Sequence, residues 1–457
     1  MIVRLARPSS PLSGTIRLPG DKSISHRYAM LAAVASGESR LRRFGSGQDC
    51  WSTLRCLQSL GVEVSREARD EVRIAGRSLR GLVAPAGPLD AGNSGTTMRL
   101  LSGILAGYSF TSTLEGDASL SRRPMGRIVQ PLRMMGASVE AQEGDLPPLT
   151  IGGGSLRAIQ YQLPVASAQV KSCILLAGLY AEGTTAVREV APTRDHTEIA
   201  LRSFGASVRS DGEWIFVEPN PELHARDLEV PADVSGASFF IIAAAMVPGS
   251  ELLLPGVGLN PRRRALVDYL RGAGACIGIE NELEAAGEPR GDLRVRYDAS
   301  FLESRLPAIQ GPAVPALIDE IPALAVLGSQ TAGGLVVTDA RELRLKESDR
   351  VAALARNLRA LGARVEELPD GLHVCGAQRL RGAEIDPHGD HRIAMAFAVA
   401  GLAADGETVV ADAECADVSF PGFWQILASA AGARAGSSSV GLPGGNQDAS
   451  SPRSRRT

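Results

Sequence analysis

The chain predicts an α/β protein of two domains, each made of three copies of one unit of about 70 residues. Three observations carry that prediction. A helix-like run ending in Gly, usually followed by a small and then a β-branched residue, recurs six times. A second helix, opened by polar residues and rich in Ala, Leu and Ile, alternates with it. Short β-branched or aromatic runs fill the gaps.

The first phrase reads Leu57-Gln58-Ser59-Leu60-Gly61-Val62-Glu63-Val64, then Leu132 to Val139, Leu201 to Val208, Leu270 to Ile277 and Leu358 to Val365. A decayed sixth copy spans Leu427 to Ala433, with no strand after it. Each copy predicts an amphipathic helix, a glycine in the left-handed cap position, then a strand. The second phrase starts near Lys22, Asn93, Ser167, Val234, Ile318 and Gly389. Helices this apolar are expected between sheets, away from water. Trp214 to Val217 and Leu293 to Tyr297 read as strands. The period is longer than the roughly 20–50 residues of the usual solenoids, so two domains of three units fit better than an open array. The polar, Pro-containing stretch Glu218 to Asp233 is the expected junction. The unit from Val234 to Ile318 is the longest, which places an insertion between Glu280 and Pro315. The segment 434–457 is rich in Gly, Ser and Pro, lacks apolar periodicity and is expected to be disordered.

Bulk composition excludes several classes. Hydrophobic residues make up 44% and charged residues 22%, ordinary for a globular protein. A net charge of -3 gives no reason to expect nucleic acid or an anionic membrane as partner. Met1 to Pro8 has no apolar signal core, and runs such as Phe239 to Val247 are too short to span a bilayer. The six cysteines form no CxxC pair and suit buried thiols in a reducing cytoplasm, so a cytoplasmic location is expected.

Of the 48 basic residues only three are lysines, Lys22, Lys171 and Lys346. A lysine is a compact point charge, whereas arginine is a planar fork. All three lie in polar clusters expected to begin helices. The other unusual polar residues gather at such starts too: Ser23 and Arg27, Asn93-Ser94-Gly95-Thr96-Thr97, Arg122-Arg123-Pro124, Ser167 and Gln169, Arg194-Asp195-His196, Asp319-Glu320, Glu347 and Arg350, and Asp390-His391-Arg392. Helix N-termini offer free amide hydrogens and a positive dipole end. Repeated cationic starts from both halves therefore predict a cleft for a multiply anionic ligand, with carboxylates inside it as acid and base. His388 and His391 with Asp386 and Asp390 could suggest a metal, but no further ligand cluster supports one, and none is expected.

Several of these motifs, in register, resemble the 5-enolpyruvylshikimate-3-phosphate synthase family of enolpyruvyl transferases. They are Leu18-Pro19-Gly20-Asp21-Lys22-Ser23-Ile24-Ser25-His26-Arg27, Gly92 to Arg99, Arg123-Pro124-Met125, Arg344 to Arg350 and Asp390 to Met395. The resemblance runs from about Leu5 to Ala433. It implies the two-domain enolpyruvyl transferase fold, an inside-out α/β barrel of six βαβαββ-type repeats, with the first domain at 19–232 and the second at 1–18 plus 233–433. It implies transfer of the enolpyruvyl group of phosphoenolpyruvate to the 5-hydroxyl of 3-phosphoshikimate, with release of phosphate, without cofactor or metal, by a monomer.

Carried over residue by residue, Lys22, Gly95, Arg123 and Gln169 would hold the phosphoenolpyruvate phosphate, and Arg350 and Arg392 would fork onto its carboxylate. Ser23 and Arg27 would take the shikimate carboxylate and ring side. Ser167, Ala168 through its backbone, Arg194 and Lys346 would surround the shikimate phosphate, with Gln169 nearby. Asp319 would accept the 5-hydroxyl proton with help from Lys22, and Glu347 would manage protons at the methylene carbon. Two departures stand out. Many members have Ser-Ser-Gln where this chain has Ser167-Ala168-Gln169, and many carry a Lys where Val418-Ser419-Phe420-Pro421 has Val418. Both resemble a subgroup containing glyphosate-tolerant enzymes, although Gly95 is the residue linked with sensitivity. UDP-N-acetylglucosamine enolpyruvyltransferase shares the fold, but normally carries a Cys before the Arg-Pro motif, and Glu115 to Arg123 contains none.

Overall fold

Twelve of the fourteen α-helices among the described residues of the computed structural model form six pairs, one apolar and one amphipathic helix to each pair. The described residues are 1–68 and 70–432, so the expected disordered segment 434–457 lies outside them. The helices are α1 (Lys22–Ala33), α2 (Gln48–Ser59), α3 (Gly95–Leu105), α4 (Gly126–Met134), α5 (Ala168–Gly178), α6 (His196–Phe204) and α7 (Val234–Met246). They continue as α8 (Ala265–Gly272), α9 (Ala299–Leu302), α10 (Ala313–Leu317), α11 (Ile321–Gln330), α12 (Arg350–Ala360), α13 (His391–Ala403) and α14 (Phe423–Ala430). The short α9 and α10, with the long hairpin Cys276–Ala285 and Glu288–Arg296, occupy the stretch where the sequence predicts an insertion.

The amphipathic helices α2, α4, α6, α8, α12 and α14 are each followed by a glycine at positive φ. Gly61, Gly136, Gly205, Gly274, Gly362 and Gly432 have φ of 85°, 100°, 109°, 97°, 84° and 70°. A side chain is strained there, which is why the recurring phrase keeps Gly. The apolar partners α1, α3, α5, α7, α11 and α13 are buried along almost their whole length; in α7 all thirteen residues are buried. Five of these six are capped by the side chain of the preceding residue: Asp21, Ser94, Ser167, Asp233 and Asp390 each accept from a backbone amide of the first turn. Such a cap is worth about 1 kcal/mol.

The strands repeat less regularly than the helices, and four sheets share one four-stranded pattern. In two units a short strand pairs parallel to a longer one, which pairs antiparallel to the far strand of a hairpin. Leu89–Asp90, Ser112–Glu115 and the hairpin Ser138–Gln142/Leu146–Gly152 show the pattern, as does Gln160–Gln162 with its neighbours. Two sheets complete the pattern with a strand distant in sequence. Asp227–Glu229 lies parallel to Ser36–Arg42, and Ser13–Thr15 lies parallel to Glu251–Gly258. The sheets stay separate and do not close into a strand barrel. The fold is inside-out because helices, not strands, occupy the middle.

Buried apolar residues divide into two clusters. One gathers Ile24 to Val230 around α1, α3 and α5. The other gathers Leu12, Ile16 and Leu18 with Ala232 to Ala430 around α7, α11 and α13. Phe240 sits at the centre of the second, fully buried, with ring centroids 6.1 Å from Phe420 and 5.7 Å from Phe423. Among the described residues no helix is long and apolar enough to cross a membrane.

Phe240→Ala is expected to lower the unfolding free energy by about 3–5 kcal/mol in a urea titration. Val190→Ala, at a side chain 47% exposed, should change it by no more than about 0.5 kcal/mol. Equal effects at the two positions would contradict the assigned core.

Candidate functional site

The six apolar helices touch one another through their first turns. The backbone amide of Lys22, opening α1, faces Asp233 Oδ2, the cap of α7, at 3.4 Å. Ser235 of α7 donates to Glu320, which precedes α11. Arg392 Nη1 of α13 donates to the Asp319 carbonyl at 2.9 Å. On the other side, Gln169 of α5 accepts from Arg99 Nη1 at 2.7 Å and donates to Thr96 Oγ1 at 2.9 Å, both on α3. Thr97 of α3 donates to the Asp49 carbonyl at 3.4 Å, and Asp49 Oδ2 meets Lys22 Nζ at 2.9 Å. The helix starts thus surround a single region.

At its centre lies Arg350, 1% exposed. Its Nε donates to Asp390 Oδ2 at 2.8 Å and its Nη2 to Glu347 Oε2 at 2.5 Å. Its Nη1 lies 3.5 Å from Asp319 Oδ1 and has no hydrogen-bond partner. Asp319 is ringed by cations. Arg194 Nη2 donates to Oδ2 at 2.7 Å, while Lys346 Nζ and Arg392 Nε stand 3.7 and 3.8 Å from Oδ1. Burial would raise the Asp319 carboxyl, but Arg392, Lys346, Arg194 and Arg350 together hold it well below the ordinary range. Burial likewise opposes at Glu347, but the permanent charges of Arg350 and Arg123, with Lys346, outweigh it, and Glu347 is also held well down. Burial would lower the Lys22 ammonium, yet Asp49 and Glu347 prevail over that and over Arg392, and its pKa is raised. Lys346 goes the other way, because burial and Arg350 outweigh Asp319. Burial and Lys22 push His391 down to about 3, so it is neutral.

The remaining predicted residues divide into two groups. Arg123 reaches the same region, 3.8 Å from Glu347 Oε1, and is braced by Asn93 Oδ1 at 2.7 Å and Ser119 Oγ at 3.0 Å. Gly95 opens α3 beside it; a Cβ there would lie 2.7 Å from Arg99 Nη1. A cavity of about 160 Å³ separates Ser119 to Pro124 from Arg344 to Glu347. The second group sits at the junction of α1, α5 and α6. Arg27 donates to the Ser23 carbonyl at 2.8 Å, Thr197 Oγ1 at 2.6 Å and Ser172 Oγ at 2.8 Å. Ser167 caps α5, and Ala168 begins it with a free backbone amide.

The structure revises one sequence expectation. Lys346 and Glu347 do not open a helix: they lie in the turn after the 3-10 segment Arg341–Leu345, because Asp349 caps α12 by accepting from Ala352 N at 3.0 Å. Asp319 and Glu320 stand at a helix start as expected, with Glu320 the N-cap of α11. Lys171 does not reach the cleft; its side chain is 0% exposed and pairs with Glu189 and Glu198. Three participants escape the sequence reading. Arg99 stands in a motif read for its glycine, and burial with Arg123 and Arg127 nearby lowers it to about 10. Asp49 lies in a helix start with no unusual pattern, and Asp390, which the sequence places at a helix start, carries no sign there of its pairing with Arg350. Among the described residues no cluster of three or more His, Cys, Asp or Glu side chains could hold a metal.

The low carboxylate pKa values set a pH window. Pairing at Asp319 and Glu347 contributes its full stability above the unfolded-state values, about pH 4, and loses it as acid passes through the lower folded-state values. Arg350→Met removes the common partner of three carboxylates, Asp319, Glu347 and the buried Asp390. It is expected to lower unfolding free energy at neutral pH by about 3–5 kcal/mol and to move the acid-unfolding midpoint to higher pH. A midpoint that stays in place would refute this account of the charge cluster.

Known proteins resemble this chain over most of its length. The family model described as EPSP synthase (3-phosphoshikimate 1-carboxyvinyltransferase) matches residues 6–427. The 3-phosphoshikimate 1-carboxyvinyltransferase of Solibacter usitatus (strain Ellin6076) is 54% identical over 420 residues, 92% of this chain and 97% of that protein. That of Pelotomaculum thermopropionicum (strain DSM 13744 / JCM 10971 / SI) is 52% identical over 421 residues, again 92% and 97%. A solved structure of EPSP synthase from Acinetobacter baumannii superposes with a TM-score of 0.83 at 42% identity, covering 94% of this chain and 98% of that one. With a matching model over most of its length and relatives above half identity, the chain belongs to the EPSP synthase family.

Proposed function

We propose that the protein transfers the enolpyruvyl group of phosphoenolpyruvate to the 5-hydroxyl of 3-phosphoshikimate, releasing phosphate. The observation that carries this reading is the placing of two half-buried carboxylates, Asp319 and Glu347, within a ring of Lys22, Arg123, Arg194, Lys346, Arg350 and Arg392. Both substrates are multiply anionic, and the ring carries the charge to bind them.

In the proposed assignment, Arg350 and Arg392 take the phosphoenolpyruvate carboxylate. Lys22, Arg123, Gln169 and the Gly95 amide take its phosphate. Ser167, the Ala168 amide, Gln169, Arg194 and Lys346 take the 3-phosphoshikimate phosphate, while Lys22, Ser23 and Arg27 face its carboxylate and ring. Asp319, anionic in the empty cleft, accepts the 5-hydroxyl proton as that oxygen attacks C2 of phosphoenolpyruvate. Glu347 delivers a proton to C3, giving a tetrahedral adduct. The same carboxylate then removes a C3 proton as phosphate leaves and the double bond returns. Glu347 starts well below the ordinary range, so it needs a reason to carry a proton. Substrate anions supply it: once they engage Arg350 and Arg123, the carboxylate loses the counter-charges that hold it down, and its pKa rises.

The proposal includes a first domain at 19–232 and a second at 1–18 plus 233–433. Its support is the division of the apolar core, with Leu18 in one cluster and Ile24 in the other. It also includes a monomeric, cytoplasmic enzyme.

Phosphate release from phosphoenolpyruvate, measured with 3-phosphoshikimate or with UDP-N-acetylglucosamine as acceptor, tests the reading. Release is expected with the first acceptor only; none with it would sink the proposal. Asp319→Ala and Glu347→Ala should each lower kcat by about 10²–10⁴-fold with a smaller change in substrate affinity. Lys22→Ala should lower kcat and raise KM together. Wild-type turnover in either carboxylate variant would remove its role.

A further inference from the structure

Lys171 is the one lysine that the chemistry above leaves without a task. It is the fourth residue of α5, one turn beyond Ser167 and three residues from Ala168. Its side chain is wholly buried. Its Nζ lies 2.9 Å from Glu189 Oε1 and 2.7 Å from Glu198 Oε1.

Those two glutamates are the roots of one loop. Glu189 directly follows the strand Thr185–Arg188, and Glu198 lies in the first turn of α6. Between them is Arg194, whose Nη2 reaches Asp319 Oδ2 at 2.7 Å. The loop is closed further on itself and on the other core. Glu189 Oε1 accepts from the Thr193 amide at 3.0 Å and from its hydroxyl. Arg262 Nη1 donates to Glu189 Oε2 at 2.8 Å and to the Thr193 carbonyl at 3.2 Å. Lys171 is thus the point where both ends of the Arg194 loop are tied to the helix whose first residues, Ser167 to Gln169, border the cleft.

The choice of lysine follows from the space. Two carboxylates from different elements converge on one fully enclosed point. A compact ammonium with tetrahedral donors meets both, while a planar guanidinium would need a larger slot and would favour one carboxylate edge-on. A chain that otherwise prefers Arg keeps Lys here.

We propose that Lys171 is a positioning residue. By pinning Glu189 and Glu198 to α5, it sets Arg194 at a fixed distance from the amides of Ser167 to Gln169, so that together they receive the phosphate of 3-phosphoshikimate. The inference rests on the function proposed above. Lys171 touches neither substrate; it acts through Arg194.

A purely structural lysine and a positioning lysine differ in which constants they move. The test is steady-state kinetics with both substrates, together with calorimetric binding of 3-phosphoshikimate, on wild type, Lys171→Met and Glu198→Gln. In Lys171→Met the KM and Kd for 3-phosphoshikimate are expected to rise about tenfold or more, as small misplacements of a binding group do. KM for phosphoenolpyruvate should stay within about twofold and kcat within about threefold. Glu198→Gln keeps the shape, loosens one root, and should raise KM for 3-phosphoshikimate about threefold, so the test stands even if Lys171→Met does not fold. A lowered Tm with an unchanged ratio of the two KM values would overturn the positioning role while leaving the function intact. A wild-type protein inactive with 3-phosphoshikimate would overturn the function itself, and this inference with it.

Discussion

A helix that is buried on every side can meet water only at its ends, and six such helices shape this molecule. Their flanks must be covered, so sheets and amphipathic helices wrap them in two clusters. Their first turns still carry unpaired amides and a positive dipole end. Capping by Asp21, Ser94, Ser167, Asp233 and Asp390 satisfies part of that need. Bringing the starts together, as Lys22 with Asp233 and Gln169 with Thr96 do, concentrates the rest into one anion-seeking region. The site follows from burying the helices.

Concentrated positive charge is costly without counter-charge, and the empty cleft supplies its own. Arg350 faces Asp319, Glu347 and Asp390, and Arg263, 4% exposed, stands among Asp21, Asp233 and Glu320. Neither arginine would tolerate burial unpaired. The first cluster is balanced by carboxylates of the chain itself. In the proposed mechanism substrate anions replace them on the arginines and free them for proton transfer, so that binding and acid-base readiness would share one set of contacts. The second cluster joins the caps of α1 and α7 to the start of α11, where the chain passes between the two cores, and is suited to holding that crossing.

Much of this was legible in the chain. The six glycine phrases proved to be left-handed caps because no other residue takes that conformation cheaply, so sequence and geometry are tied at one atom. The apolar helices were legible because their composition leaves no polar face. The Lys346 to Asp349 segment was read as a helix start because charge patterning cannot tell a capped turn from a first turn; Asp349's bond to Ala352 decides it. Arg99 and Asp49 were missed because each matters only through a partner far along the chain, Gln169 and Lys22.

The sequence by itself determined the repeat, the family, the alternation of helix types and most of the charged residues of the cleft, because each depends on local preference or on motifs held in fixed order. Tertiary structure decided which charges meet. Lys171 shares its helix start with Ser167 and Gln169, yet folding turns its ammonium inward onto Glu189 and Glu198 while Lys22 and Lys346 face Asp49 and Asp319. Which way a lysine points depends on which elements pack against its helix face, and that is settled by contacts between residues distant in the chain.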